Sequence, residues 1–368
     1  MSFLNKLRPH VKNMIGKSFK EKFVIIESDD WGSIRMPSTD VYQKLKLKGL
    51  NLGIGESERY NLTDTLESSE DFEALFEVLR KHKDINNNHP VFTAISVVAN
   101  PDFEKIKNND FQSYYFEPFT ETLSKYNRSD ALKLWKQGGE DNLFVPEFHA
   151  REHLNVDVWM RMLRNHDSHT RIGFDLGCWG FLTKVPYGIT YQASFELEYP
   201  ADIDNQKEIL ATGLDMFEDI HGFKASYFVP PNGPINNKLE EIAFQKQVKY
   251  IGASKVQLET LGQGKWKKNY HWLGKKNKFG QAYITRNAFF EPNAPSNDWV
   301  SSCLKDIEYA FKWNKPAVIS SHRTNYIGSL DEKNRTNSLK KLNELLEKIL
   351  LKWPDAQFIT SKELGQRL

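Results

Sequence analysis

The chain alternates between short, wholly apolar runs and longer stretches in which apolar residues recur every three or four positions. "KFVIIES" (22–28) has the length and β-branched content of a buried strand and ends in acids. "SSEDFEALFEVLRKH" (68–82) opens on a serine suited to cap a helix and keeps its apolar residues at helical period, and "HPVFTAISVVA" (89–99) is strand-like again. The succession continues with "NLFVPEFH" (strand), "NVDVWMRMLRN" (helix), "QKEILATGLDMFEDIHG" (helix), "ASYFVPP" (strand), "NNKLEEIAFQKQ" (helix) and "VKYIGAS" (strand). It closes with "DWVSSCLKDIEYAFKW" (helix), "PAVISSH" (strand), "RTNSLKKLNELLEKILLKW" (helix) and "AQFIT" (strand). Strand followed by helix, repeated about seven times, predicts an α/β fold whose parallel sheet is closed or nearly closed by crossover helices.

In such a barrel, chemistry collects where strands end and loops begin. That rule selects Asp29 and Asp30 after "VIIES", His149 after "LFVPEF", Asn232 after "YFVPP", and His322 after "AVISS". His149 and His153 in "EFHAREHLN" stand four residues apart, a spacing that on a helical turn brings two imidazoles to one ion, with one carboxylate as a third ligand. Three protein ligands leave positions open for water and substrate, which is the arrangement of a catalytic site. The candidate chemistry is therefore that of a metal hydrolase.

Composition adds limits. The 368 residues carry a formal net charge of +2 from mixed acids and bases, so nothing draws the chain as a whole to nucleic acid. Cys178 and Cys303 stand far apart, outside any C-x-x-C spacing, and are expected as reduced, buried thiols. No apolar window is long enough to span a membrane, and lysines interrupt the first twenty residues, so the expected location is cytoplasmic. Leu4, Leu7, Val11 and Met14 fall at helical spacing under a basic face, so residues 1–21 are expected as a helical segment docked on the body, with peripheral membrane contact as the alternative. Residues 255–290 interleave lysines with Trp266, Tyr270, Trp272 and Phe279, and predict a solvated hairpin, with contact to an anionic or phosphate-bearing glycan as the next reading and nucleic acid as the last.

The ordered series "IIESDDWG", "FHAREH", "YFVPPNG", "NDWVSSCLKDIEYAF" and "PAVISSH" resembles the polysaccharide deacetylases of carbohydrate esterase family 4. The resemblance runs from about residue 22 to 368 as a single unit, with insertions near 36–65, 170–200 and 255–290. It implies a distorted (β/α)7-type barrel that uses a divalent metal, commonly zinc, to remove acetyl groups from carbohydrates. On this sequence it implies Asp29 as general base, Asp30, His149 and His153 as metal ligands, His322 as general acid, and Trp299 as an aromatic lining the acetyl pocket. Trp31 is expected either to stack on a sugar or to pack at the barrel mouth, and the backbone amide of Asn232 to face an oxyanion.

Four positions depart from the family's pattern, among them Asn232, which stands where an aromatic usually follows the prolines. Val229 stands where an arginine usually pairs with the base, which leaves Arg286 or Arg323 to take its place. The acid expected a few residues before Asp298 is missing, and Ser320 replaces a common leucine. Two other readings follow from the same residues. "HAREH" also satisfies H-x-x-E-H, the inverted zinc-peptidase signature, with Glu152 as base, provided that it lies in a helix. A barrel that only binds a glycan is the other.

Overall fold

The structure, a computed structural model, describes residues 10, 12–295 and 297–368. Nine strands, all paired in parallel, form the main sheet: β1 (Lys22–Trp31), β2 (Phe92–Val97), β3 (Phe144–Ala150), β4 (Tyr227–Phe228), β5 (Tyr250–Gly252), β6 (Ala282–Ile284), β7 (Ala288–Phe289), β8 (Ala317–His322) and β9 (Ala356–Phe358). Their spatial order is β6-β5-β4-β3-β2-β1-β8-β7, with β9 beside the start of β1. The two edge strands, β6 and β7, are consecutive in the chain, and only Thr285–Asn287 separate them. So short a connection requires the sheet to curl until its edges meet, which makes the α/β barrel expected from the alternating pattern.

The strands alternate between two apolar environments. Val24, Ile26, Phe92, Ala94 and Ile319 join a buried cluster beneath the outer helices, while Phe23, Ile25, Ile95, Tyr227, Ile284 and Val318 fill the barrel interior. Both faces are covered, which is why β1 reads as a continuous apolar run and not as an alternation. The helices that matter here are α1 (Glu56–Thr63), α2 (Ser69–Arg80), α3 (Val156–Arg164), α4 (Ile203–His221), α5 (Trp299–Lys312) and α6 (Glu332–Lys352). Their ends use local chemistry: Asp298 accepts from the amide of Ser301 to cap α5, and Gly222, at φ 76°, closes α4 in a left-handed turn that a Cβ would strain.

Period two then carries function up the same interior face. On β1 the parity of Phe23 and Ile25 continues through Glu27 to Asp29, and on β8 that of Val318 continues through Ser320 to His322. Glu147 and His149 share the parity on β3, and Arg286 follows Ile284 past the end of β6. In register, Asp29 lies opposite His322.

Of the stretch 255–290 expected as a hairpin, only antiparallel strands Val256–Gly262 and Lys265–Tyr270 form one, joined by Gln263 and Gly264, both at positive φ, in a two-residue turn; its later part instead supplies β6 and β7 of the main sheet. The second strand of the hairpin is almost wholly exposed. Cys178 and Cys303 are free and buried. Of the N-terminal segment, Leu4, Leu7 and Val11 lie outside the described residues. Its end is tied to the body by Lys12 on Asp306 (2.6 Å) and by the Trp313 indole, which donates to His10 (3.1 Å). Among the described residues no helix is long and apolar enough to cross a membrane.

Candidate metal centre and active cleft

A cleft of about 1450 Å³ opens at the strand ends and is lined by Asp29, Asp30, His149, His153, Asn232 and His322 among others. Ligand-capable atoms of Asp30, His149 and His153 all lie within 4.8 Å of one another, and all three residues are buried. Asp30 Oδ1 stands 3.5 Å from His149 Nε2 and 3.1 Å from His153 Nε2.

Strand parity alone would turn Asp30 away from Asp29. The register of β1 on β2 slips between Ser28 and Trp31, and Asp30 adopts φ 79°, a left-handed conformation uncommon outside glycine. This bulge lets two adjacent acids serve one site, and it is the kind of backbone strain that folds retain where function requires it. The histidine pair also differs from expectation: His149 ends β3, and His153 follows in an irregular bend rather than one turn along a helix. The strand end and the reversal after it bring the rings to 5.1 Å between centroids.

The donor set fits a small divalent cation. His149 Nδ1 lies 2.5 Å from the carbonyl of Val229, which can only accept, so Nδ1 donates there and Nε2 is the nitrogen turned towards Asp30. Burial, opposed by Asp30, keeps the His153 pKa below its ordinary value, so this ring is neutral near pH 7. Burial works against the charge of Asp30, but His153 and His149 outweigh it and hold its carboxyl well below the usual range. One carboxylate and two imidazoles beside an open cleft make a donor set that could hold a metal ion.

Two further pairs flank the triad. Arg286 grips Asp29 with both terminal nitrogens (2.7 and 2.5 Å) and Glu27 with its Nε (2.6 Å). Burial would raise the Asp29 pKa, yet the Arg286 guanidinium lowers it overall, and the carboxylate is ionised at neutral pH. Arg286 thus occupies the place left by Val229. Arg323 does not: it is fully buried under the site, bound to Asp64 (3.0 Å) and Glu67 (2.9 Å). His322 directs Nδ1 at Glu291 Oε1 (2.6 Å), with Nε2 4.0 Å from Asp29 Oδ2. Burial alone would depress the His322 pKa, but Glu291, followed by Asp30 and Asp29, raises it to about 9.

Two expected substrate residues lie elsewhere. Trp31 is 1 % exposed, stacked on Phe72 (5.5 Å) and edge-on to Phe144 (4.7 Å), with its indole donating to Ser28. It belongs to the core, where truncation to alanine costs about 3–5 kcal/mol. Trp299 packs at the start of α5 with its indole on the carbonyl of Ala294 (3.0 Å), and it is absent from the cleft lining. The aromatic beside His322 is Tyr60 of α1, edge-on at 5.5 Å. Nothing local in the sequence marks Tyr60, whereas continuing the β6 alternation from Ile284 would have pointed to Arg286. Asn232 lines the cleft at φ 56° in an exposed turn. Glu152 is 1 % exposed and clamped by Arg151 (2.7 and 2.8 Å), outside any helix, so the inverted-peptidase geometry is absent.

No family model and no curated protein matches the sequence. Among solved structures the chain is similar to 4-alpha-glucanotransferase from Thermococcus litoralis, with TM-score 0.48 and 10 % identity over 95 % of this chain. It spans 41 % of that enzyme's length. It is also similar to the Xyl-CE4 domain of a multidomain xylanase from the hindgut metagenome of Trinervitermes trinervoides, with TM-score 0.38 and 11 % identity over 95 % of this chain and 91 % of that one. A third similar structure is peptidoglycan deacetylase PdaC from Bacillus subtilis, with TM-score 0.34 and 12 % identity over 94 % of this chain and 91 % of that one.

Proposed function

We propose that this protein is a metal-dependent deacetylase that removes an acetyl group, N-acetyl in preference to O-acetyl, from a sugar or glycan precursor. The observation that carries the reading is the meeting, in one cleft, of a buried Asp30–His149–His153 triad with a clamped carboxylate, Asp29, and a carboxylate-bound imidazole, His322. A divalent ion held by Asp30, His149 and His153, with zinc the best match to the donors, supplies Lewis acidity towards the acetyl carbonyl.

The chain's own residues do the rest. Asp29, kept ionised and oriented by Arg286, accepts the proton of the attacking water. The amide of Asn232, in the turn that rims the cleft, donates to the oxyanion that forms. His322 is protonated near pH 7 because of Glu291, so it delivers a proton from Nε2 to the departing sugar nitrogen or oxygen.

The test pairs metal analysis with acetate release from a panel of acetylated sugars. Wild type, Asp29→Asn and His322→Ala should each retain close to one divalent ion, while both variants lose roughly 100-fold or more of turnover. A wild-type protein that binds no divalent ion, or an Asp29→Asn variant as active as wild type, refutes the assignment.

A further inference from the structure

The hairpin reverses the alternation of a half-buried sheet, in which apolar residues face the body and polar ones the solvent. In its first strand Gln257 and Glu259 are 3 and 7 % exposed, whereas Val256 and Leu258 are 47 and 41 % exposed. The inward polar face is satisfied. Glu259 accepts from Lys267 (3.1 Å), Asn269 (3.0 Å) and the amide of Asn237 (3.3 Å), and Gln257 meets His271 (2.6 Å). These bonds fix which face turns out, because a slip of one residue would exchange the two.

Antiparallel pairing gathers the outward side chains. Val256 stands opposite Tyr270 and Leu258 opposite Lys268, and strand parity sends all four to the same side. Tyr270 and Lys268 are exposed like their partners. The face ends at Thr260, whose hydroxyl accepts from the amide of Leu197 (3.0 Å), with its cross-strand neighbour Trp266 still exposed. At the other end Val256 also lines the cleft, as does Lys255 before it, so the face runs into the cleft mouth.

Its chemistry selects among three kinds of occupant. From Thr260 to Phe290 the chain carries six lysines and one arginine and no acid. A second copy of the face would bring lysine to lysine with no carboxylate between them, and Lys265, Lys267 and Lys268 obstruct pairing along the hairpin's second strand. Sugar hydroxyls require amides and carboxylates beside the rings, yet Gln257, Glu259 and Asn269 all lie on the inward face. Aliphatic side chains flanked by tyrosine, tryptophan and lysine suit the interface of an anionic bilayer. There the apolar tips enter the acyl boundary, the rings sit among the headgroups and the ammonium groups reach lipid phosphates.

We propose that the outward face of this hairpin docks on an anionic lipid bilayer. The inference goes beyond the deacetylase reading and stands without it; joined to it, docking turns the cleft mouth towards the headgroup layer.

Sedimentation of the full chain with lipid vesicles tests the docking without turnover. Vesicles of phosphatidylcholine with about one-third phosphatidylglycerol should bind the protein about tenfold or more tighter than phosphatidylcholine alone, and less tightly as salt rises. The double variant Leu258→Ser, Tyr270→Ser and the single variant Lys268→Glu should each lower that binding several-fold with metal content unchanged, since all three positions are exposed. Absence of binding to the mixed vesicles overturns the proposal, and so does binding that both variants retain, because another surface then carries it. Without vesicle binding, a dimer that the double variant abolishes assigns the face to a second copy, and capture of polygalacturonate, an anionic glycan without acetyl groups, that the double variant loses assigns it to a glycan; either result overturns the proposal. Vesicle binding by a protein that releases no acetate from the sugar panel removes the reaction and leaves the docking intact, and the reverse result removes the docking alone.

Discussion

Asp30 and His149 lie near the ends of β1 and β3 and His153 in the bend that follows, each within a short motif, and the three are buried together. Arg286 and Glu291, which hold Asp29 and His322 on the other side of the cleft, come from the run that closes the barrel seam and carries no motif. The difference reflects what each job requires. A metal ligand must present a particular donor atom at a fixed distance, which restricts both residue type and spacing. A residue that positions a base or an acid needs only the right charge within hydrogen-bond reach, so any neighbouring element can supply it. Here the run that closes the barrel supplies both, Arg286 from the link between β6 and β7 and Glu291 from just after β7.

That contrast can be broken most strongly at Arg286. Arg286→Met should keep the metal while lowering acetate release by roughly 100-fold. It leaves Asp29 buried without its cation, so the carboxyl pKa rises and the acidic limb of the pH–rate profile moves to higher pH. Loss of metal in this variant would show that the two sides of the cleft are not separable.

A smaller effect is expected at Glu291. Glu291→Gln removes the main group that raises His322, so the imidazole loses its proton at lower pH and the alkaline limb of the profile moves down from the region near pH 9, with about a tenfold fall in turnover at neutral pH. An unmoved alkaline limb would exclude His322 as the proton donor. Smallest of all is Trp299→Ala, which should change acetate release by less than about twofold, because its indole serves the carbonyl of Ala294 outside the cleft. A large rise in KM would return Trp299 to the site.

Much of this arrangement was legible before any coordinates. Apolar runs bounded by turns, alternating with helical periodicity, were sufficient for the α/β barrel, because a parallel strand buried on both faces leaves a strong local signature. The strand-end rule picked out the acids and histidines at 29, 30, 149 and 322 for the same reason, since strand boundaries are local. Trp31 and Trp299 show the reverse: an aromatic residue next to a site motif reads alike whether it faces a ligand or the core, and only packing separates the two. Arg286 and Arg323 make the same point with charge. Both lie near the catalytic strands, yet one reaches Asp29 and the other is consumed by Asp64 and Glu67.

Residue types and their periods therefore marked, unaided, seven of the nine strands and the polar residues at their ends, and made His149 and His153 candidates to share one cation. They could not determine that β1 bulges to rotate Asp30 into line with Asp29, or that the barrel closes at Thr285–Asn287 and so delivers Arg286 to Asp29. Strand periodicity is set by neighbours along the chain, whereas a bulge and a seam are set by how distant strands pair when the sheet closes, and the free energy that selects them is spread over contacts no short segment contains.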